Sequence, residues 1–134
     1  MSRAIARTAA VPKARSLVYL RRAGNLFVMM EEAETTRNSD GVATNGIQAA
    51  ISYSDAFTVF KLGLRSRSQD HQEAVRLIAT VNTPAASTLA ALVQGVLNRK
   101  SEVEYGDRDV TPDDAARIAK TVRETRALVE SEVR

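Results

Sequence analysis

The segment Ile47-Gln-Ala-Ala-Ile-Ser-Tyr-Ser-Asp-Ala-Phe-Thr-Val-Phe60 decides the fold of this chain, because its apolar residues occupy two sides of one helix. At helical spacing, one side consists of Ile47, Ala50, Ile51, Ser54 and Thr58, and the other of Ala49, Tyr53, Ala56 and Phe60. A helix at a protein surface is apolar along one stripe only, whereas a helix with two apolar sides is usually central in its bundle. The segment therefore predicts a central helix from about Thr44 to Leu62.

The residues before this segment predict a first long helix. Pro12 suits the first turn of a helix, and apolar residues recur at semi-regular helical spacing from Leu17 to Met30. The turn signal Asn38-Ser-Asp-Gly41 predicts that this helix ends at about Asn38.

The residues after the segment predict two further helices. Gly63 is placed to end the central helix, and Asp70-His-Gln-Glu73 has the spacing of a capping box, with Asp70 as the cap of a short third helix. Thr83-Pro84 then combines an N-cap residue with the proline that a first turn accepts, which predicts the start of a fourth helix.

The C-terminal part of the chain predicts a fifth helix. Gly106 indicates a break, and Thr111-Pro112 repeats the start signal of a helix that we expect to reach about Val133. Almost nothing alternates with the period of two that is typical of strands. The predicted fold class is all-α, an up-and-down bundle of about five helices with short connections.

Composition narrows the classes of function. The 134 residues suit one domain, so we expect a single domain over residues 1–134. The chain has no cysteine and one histidine, which excludes a disulfide framework and a thiolate or His-rich metal site; we expect no metal and no cofactor. No apolar run is long enough to span a bilayer and no secretory signal is evident, so the expected compartment is the cytoplasm, without a membrane partner.

The net charge of +3 is unevenly distributed. Six basic residues precede the first acid, Glu31; they are Arg3, Arg7, Lys13, Arg15, Arg21 and Arg22. We expect residues 1–14 to form a flexible basic arm. Such an arm suits contacts with phosphates, but it is equally consistent with a solvated tail.

Three segments carry a resemblance to a known family. They are Ala50 to Phe57 in the central helix, the glycine-containing turn from Gly63 to the only histidine, His71, and Asn98-Arg-Lys-Ser-Glu-Val-Glu-Tyr-Gly106. In this order and spacing they resemble bacterial HEPN domains, a helical-bundle family that includes RNA-cleaving toxins and catalytically silent RNA- or nucleotide-binding partners. The resemblance covers most of residues 15–130.

The resemblance implies roles for particular residues. Nucleolytic HEPN proteins use an arginine and a histidine with four to six residues between them, and Arg65 and His71, with five residues between them, match this spacing. Their role would be metal-independent RNA cleavage, in which the imidazole moves protons and the guanidinium stabilises the negative charge of the phosphorane. One chain supplies one histidine, so a homodimer is implied. The chain departs from the family because its motif lies in a turn and at a helix start rather than within a later helix.

Other residues allow alternative interpretations. His71 is equally consistent with a capping or packing role at the edge of helix three. Further cations are candidates for an RNA- or nucleotide-binding groove but also suit solvated positions: Arg67, Arg76, Arg99 and Lys100. Tyr53 and Asp55 are expected to support the site by hydrogen bonding Arg99 or Tyr105 inside the bundle, since a buried aspartate requires a partner. The cluster Glu31, Glu32 and Glu34 lacks the second carboxylate-histidine helix of a di-metal site.

The resemblance therefore implies an RNA- or nucleotide-interacting component of a bacterial toxin-antitoxin or defence module. Its enzymatic form would be a metal-independent endoribonuclease. The alternative is a non-catalytic dimeric scaffold that partners a nucleotidyltransferase or another protein, such as an antitoxin.

Overall fold

The computed structural model describes the backbone of residues 7–105 and 109–134 and the side chains of residues 7–100 and 109–134. It confirms the predicted all-α helical bundle. The helices of the described residues are α1 (Ser16–Thr35), α2 (Ser39–Leu62), α3 (Gln72–Ala79), α4 (Pro84–Tyr105) and α5 (Pro112–Glu132). The break predicted at Gly106 lies outside the described residues.

Helix α2 is the central helix, as its two apolar sides predict. More than half of its residues are buried, and it contacts each of the other four helices. Gly46 is required by this packing, because a Cβ atom there would lie 2.9 Å from Ile118 Cγ2 of α5 and 3.1 Å from Met30 Sδ of α1. The two apolar sides of α2 are therefore filled within one protomer.

Two of the predicted helix starts are confirmed in detail. At α5, the Thr111 hydroxyl accepts a hydrogen bond from Asp114 N at 3.1 Å, and the Asp114 carboxylate accepts one from Thr111 N at 3.0 Å. At α4, the Thr83 hydroxyl accepts a hydrogen bond from Ala86 N at 3.1 Å. Each of these bonds satisfies a backbone N–H that has no partner within its helix.

The boundary between α1 and α2 was predicted wrongly. The Asn38 side chain accepts a hydrogen bond from Gly41 N at 3.0 Å and so caps α2, which begins at Ser39 rather than Thr44. The chain reverses direction in the three residues between α1 and α2, where Arg37 adopts a left-handed φ of 57°. The segment from Asn38 to Gly41 therefore starts a helix instead of ending one. Asparagine is favourable at a helix N-cap as well as in a turn.

The start of α1 also differs from the prediction. Pro12 precedes a short 3-10 turn at Lys13–Arg15, and α1 begins at Ser16. At α3, His71 is the N-cap residue by its backbone position, while the predicted cap Asp70 accepts a hydrogen bond from Gln72 N at 3.0 Å.

A two-stranded antiparallel sheet was not predicted from the sequence. Strand β1 (Thr8–Ala10) pairs with β2 (Leu64–Ser66), so that Ala9 lies opposite Arg65. Gly63 ends α2 in the left-handed conformation, with φ 65°, and its carbonyl oxygen accepts a hydrogen bond from Val11 N at 2.9 Å. The expectation of a flexible arm over residues 1–14 is therefore wrong for residues 8–10, and residues 1–6 lie outside the described residues.

Among the described residues, no helix combines the length and the apolar character that crossing a membrane requires.

Candidate functional site

The small sheet fixes the backbone of Arg7 beside Arg67, one of the two arginines that follow α2. Arg65 lies in β2 rather than in the turn expected from the sequence, and Arg67 N donates a hydrogen bond to the Arg7 carbonyl oxygen at 2.8 Å. Backbone hydrogen bonds thus join residues 7–11 to residues 63–67. Arg67 is exposed at the end of this pairing.

Arg65 contacts one carboxylate and one aromatic ring. Its Nε atom lies 3.5 Å from Asp55 Oδ2, a distance at the outer limit for a hydrogen bond, so the attraction is mainly coulombic. The guanidinium carbon lies 5.7 Å from the centre of the Tyr19 ring, and the Arg22 guanidinium lies 5.5 Å from the same ring. Tyr19 therefore joins Arg22 of α1 to Arg65 of β2.

Asp55 is held in an environment that disfavours its charge. Burial raises the pKa of Asp55 to about 6, because the loss of water outweighs the attraction of Arg65 and Arg22. The Asp55 side chain is only 14% exposed, whereas that of Arg65 is 40% exposed. A buried carboxyl group that titrates close to neutral pH beside an accessible arginine is typical of functional sites.

The partner of Asp55 differs from the one expected, and its supporting role at a functional site stays a prediction. The sequence suggested Arg99 or Tyr105, but Asp55 pairs with Arg65, and Arg99 Nη1 lies 3.8 Å from Asp114 Oδ1. The side chain of Tyr105 lies outside the described residues. The sequence contained one indication of the Asp55–Arg65 pair, because Arg65 follows directly after the helix that carries Asp55. No sequence pattern predicted a strand at Arg65.

Tyr53 is part of the core rather than of this site. Its side chain is fully buried, and its hydroxyl has no hydrogen-bond partner within the described part of the chain. Burial raises the pKa of Tyr53 to about 12, which the nearby Arg126 offsets only in part. The ring fills the bundle and remains protonated at neutral pH.

His71 and Arg76 lie beyond the sheet, on α3. His71 is half-buried at the N-terminus of α3, and Arg76 is exposed one turn further along the helix. Ser68 and Asp70 order the connection from β2, because Ser68 Oγ accepts a hydrogen bond from Asp70 N at 3.0 Å. The two catalytic candidates, Arg65 and His71, therefore lie at the two ends of one short ordered connection.

Arg99 and Lys100 form a second basic group, next to the first half of α2. They line a cleft of about 210 Å³ together with Asp40, Thr44 and Gln48. Asp55 lies at least seven residues further along α2, which corresponds to about 10 Å along the helix axis. The cations predicted for one groove thus fall into two groups, one beside Asp55 and one in this cleft.

The acidic cluster of α1 contacts an arginine. Arg123 Nη2 of α5 contacts Glu34 and lies 3.9 Å from Glu31 Oε2. Among the described residues, no group of three histidine, aspartate or glutamate side chains is arranged to hold a metal ion.

Sequence reasoning missed Tyr19 as a residue of the site beside Asp55, and it named Arg22 only as one of the basic residues before Glu31. Their spacing of three residues on α1 places them on neighbouring positions of one helix, where an arginine can lie over a ring. That spacing was visible in the sequence, but the contact with Arg65 depends on the sheet.

Comparison of the chain with protein-family models, with curated proteins and with solved structures gives no match.

Proposed function

We propose that this protein binds single-stranded RNA through a surface that we call the arginine face, which consists of Arg7, Arg22, Arg65 and Arg67. The observation that carries the proposal is the pairing of β1 with β2. This pairing brings Arg7, which precedes β1, next to Arg65 and Arg67 on an ordered backbone. Phosphate groups supply most of the affinity of proteins for RNA, and ordered arginines contact them well.

The charge of this region favours a polyanionic ligand. Residues 7–30 contain five basic residues and no acidic residue. Among the described residues, Asp55 is the carboxylate that contacts the arginine face, and it is largely buried while Arg65 remains accessible. A phosphate oxygen can therefore reach the Arg65 guanidinium from the solvent side.

The arginine face predicts binding with little sequence preference. Tyr19, the ring shared by Arg22 and Arg65, is only 7% exposed and offers no open face for a base to stack on. Sequence-specific recognition of single strands relies on base stacking and on hydrogen bonds to base edges. Contacts with phosphates alone discriminate weakly between sequences.

The enzymatic form of the proposal is metal-independent RNA cleavage. Arg65 would stabilise the negative charge of the pentacoordinate phosphate, and His71 would transfer protons as the 2'-hydroxyl attacks and the 5'-oxygen leaves, giving a 2',3'-cyclic phosphate. Asp55, on the buried side of Arg65, would hold the guanidinium in place for this role.

The biological setting follows from the resemblance to HEPN domains and belongs to the proposal. In that setting the protein is a component of a bacterial toxin-antitoxin or defence module. Its non-catalytic alternative is a scaffold that binds a nucleotidyltransferase or an antitoxin protein, and the same arginine face would then meet an acidic protein surface.

The salt dependence of RNA binding tests the proposal. Each phosphate contact with a single strand contributes about 0.7 to the slope of log affinity against log salt, so replacing Arg65 and Arg67 by alanine should reduce the slope by about 1.4. The matched control replaces Arg117 and Lys120 of α5, which removes the same charge from another surface and should leave the slope unchanged.

The measurement is fluorescence anisotropy of a labelled single-stranded RNA between low and physiological salt. Equal slopes for the Arg65/Arg67 variant and the wild type would contradict the proposal. If the wild-type protein fails to bind RNA but binds an acidic protein partner, the scaffold alternative replaces the RNA-binding proposal.

A further inference from the structure

The arginine face lies over a carboxyl group of the central helix. Among the described residues, the carboxyl group in contact with this face is that of Asp55, which is largely buried while Arg65 is accessible. The Nε atom of Arg65 is buried and lies 3.5 Å from Asp55 Oδ2, without a hydrogen bond in the part of the chain that the structure describes. The guanidinium therefore has a buried edge that faces Asp55, and the solvent reaches Arg65 from the other side.

Three opposing influences act on the charge of Asp55. Burial raises the pKa of Asp55 to about 6, and Arg65 of β2 and Arg22 of α1 offset this effect only in part. Both arginines lie beside the ring of Tyr19. When Asp55 takes up a proton, Arg22 and Arg65 lose a compensating negative charge, and the arginine face gains one positive charge.

Charged groups on the other elements around α2 are placed differently. Arg126 and Glu130 of α5 act on Tyr53, which lies about 200° around α2 from Asp55 and so on the opposite side of the helix. The 3-10 turn, α3 and α4 also carry charged or titratable side chains near α2 or β2, namely Lys13, His71, Glu73, Arg76, Arg99 and Lys100. Of these, His71 and Glu73 can change charge between about pH 4 and 8, so a test must separate them from Asp55.

A phosphate bound at Arg65 and the Asp55 carboxylate would be two negative charges on opposite sides of one guanidinium. A nearby like charge disfavours the ionised form of a carboxyl group. The phosphodiester stays ionised at neutral and mildly acidic pH, so Asp55 is the group that responds. We propose that RNA binding takes up a proton at Asp55, so that acidification tightens the binding of RNA to the arginine face. The inference rests on the RNA binding proposed above and adds a mode of regulation to it.

The sign and the size of this coupling follow from the two charges. A charge at short range shifts a pKa by roughly one to three units, and the guanidinium between the two anions favours the low end. A rise of one unit in the pKa of Asp55 on binding makes the affinity for RNA about tenfold higher at pH 5 than at pH 8. Protonated Asp55 favours binding, so the gain is complete at acid pH and is lost as the pH rises through the pKa of the complex.

Fluorescence anisotropy of an oligouridylate with a pH-insensitive label, measured at constant salt from pH 5 to 8, tests the coupling. The RNA carries no terminal phosphate, because a terminal phosphate itself titrates near pH 6. Asp55→Asn should bind about tenfold more tightly than wild type at pH 8 and equally well at pH 5. Asp40→Asn, which removes an exposed carboxylate from the first turn of the same helix, is the matched control and should follow the wild-type curve.

Two further measurements separate Asp55 from the other titrating groups. The comparison is repeated with His71→Gln in both proteins, since a histidine titrates in the same range, while Glu73 is present in every protein and cancels. Calorimetry in two buffers of different ionisation enthalpy counts the protons taken up on binding. At pH 6.5 the protein that retains Asp55 should take up about half a proton more per RNA than the Asp55→Asn protein.

Two results would overturn the inference and leave RNA binding in place. One is an equal pH dependence for wild type and Asp55→Asn. The other is weaker binding by Asp55→Asn than by wild type at pH 8, which would show that the carboxylate positions Arg65 instead of opposing the phosphate. A wild-type protein that binds no RNA at any pH would contradict the proposed function and the inference together. Circular dichroism checks that each protein keeps its helix content at both ends of the pH range.

Discussion

Replacing Asp55 by asparagine should stabilise the folded protein at neutral pH. The variant keeps the size of the side chain and removes the charge that burial disfavours. The difference between a folded-state pKa of about 6 and the ordinary value of 3.8 corresponds to at most about 3 kcal/mol of unfolding free energy. For a domain of this size that corresponds to a rise of roughly 10 °C in Tm.

The direction of the pH dependence follows from the raised pKa. Protonated Asp55 is favoured in the folded state, so its contribution to stability is complete below pH 3.8 and is lost as the pH rises through about 6. Wild type and Asp55→Asn should therefore be equally stable near pH 4. The advantage of the variant should grow between pH 4 and 7 and then level off.

Urea unfolding followed by circular dichroism from pH 4 to 8 measures this difference in unfolding free energy. The contributions of the other carboxylates cancel, because both proteins contain them. Asp40→Asn is the control. Asp40 is exposed in the first turn of the same helix, where the interaction of its negative charge with the helix dipole stabilises the folded protein by less than about 1 kcal/mol. A destabilised Asp55→Asn protein at pH 7 would refute the reasoning. It would mean that the ion pair with Arg65 outweighs the cost of burial.

Four other substitutions have expected effects that the same structure determines. Gly46→Leu should lower the unfolding free energy by about 2–3 kcal/mol or more in urea unfolding, because no space exists between α2, Ile118 and Met30; Gly95→Ala, on the open surface of α4, should raise it by up to about 1 kcal/mol. If the enzymatic form of the proposal holds, His71→Ala and Arg65→Ala should each abolish cleavage of single-stranded RNA in EDTA, measured by gel electrophoresis. Full activity of either variant would assign the chemistry elsewhere.

The helical part of the fold was predictable because its signals are local and repeated. Thr83-Pro84 and Thr111-Pro112 each combine two independent preferences for a helix start, and the two apolar sides of Ile47–Phe60 correctly placed α2 at the centre. The predicted helix end at Asn38 was wrong because asparagine has similar preferences for a turn and for an N-cap. Local chemistry alone does not separate these two outcomes.

The candidate site was less predictable than the bundle, since it depends on a non-local strand pair. Strands of three residues, such as Thr8–Ala10 and Leu64–Ser66, are too short to show an alternating pattern. Arg65 could be selected from its spacing to His71, but its contacts with Asp55 and Tyr19 exist only because β1 and β2 fix its position. The acid-base character of Asp55 arises from burial, which the sequence does not display.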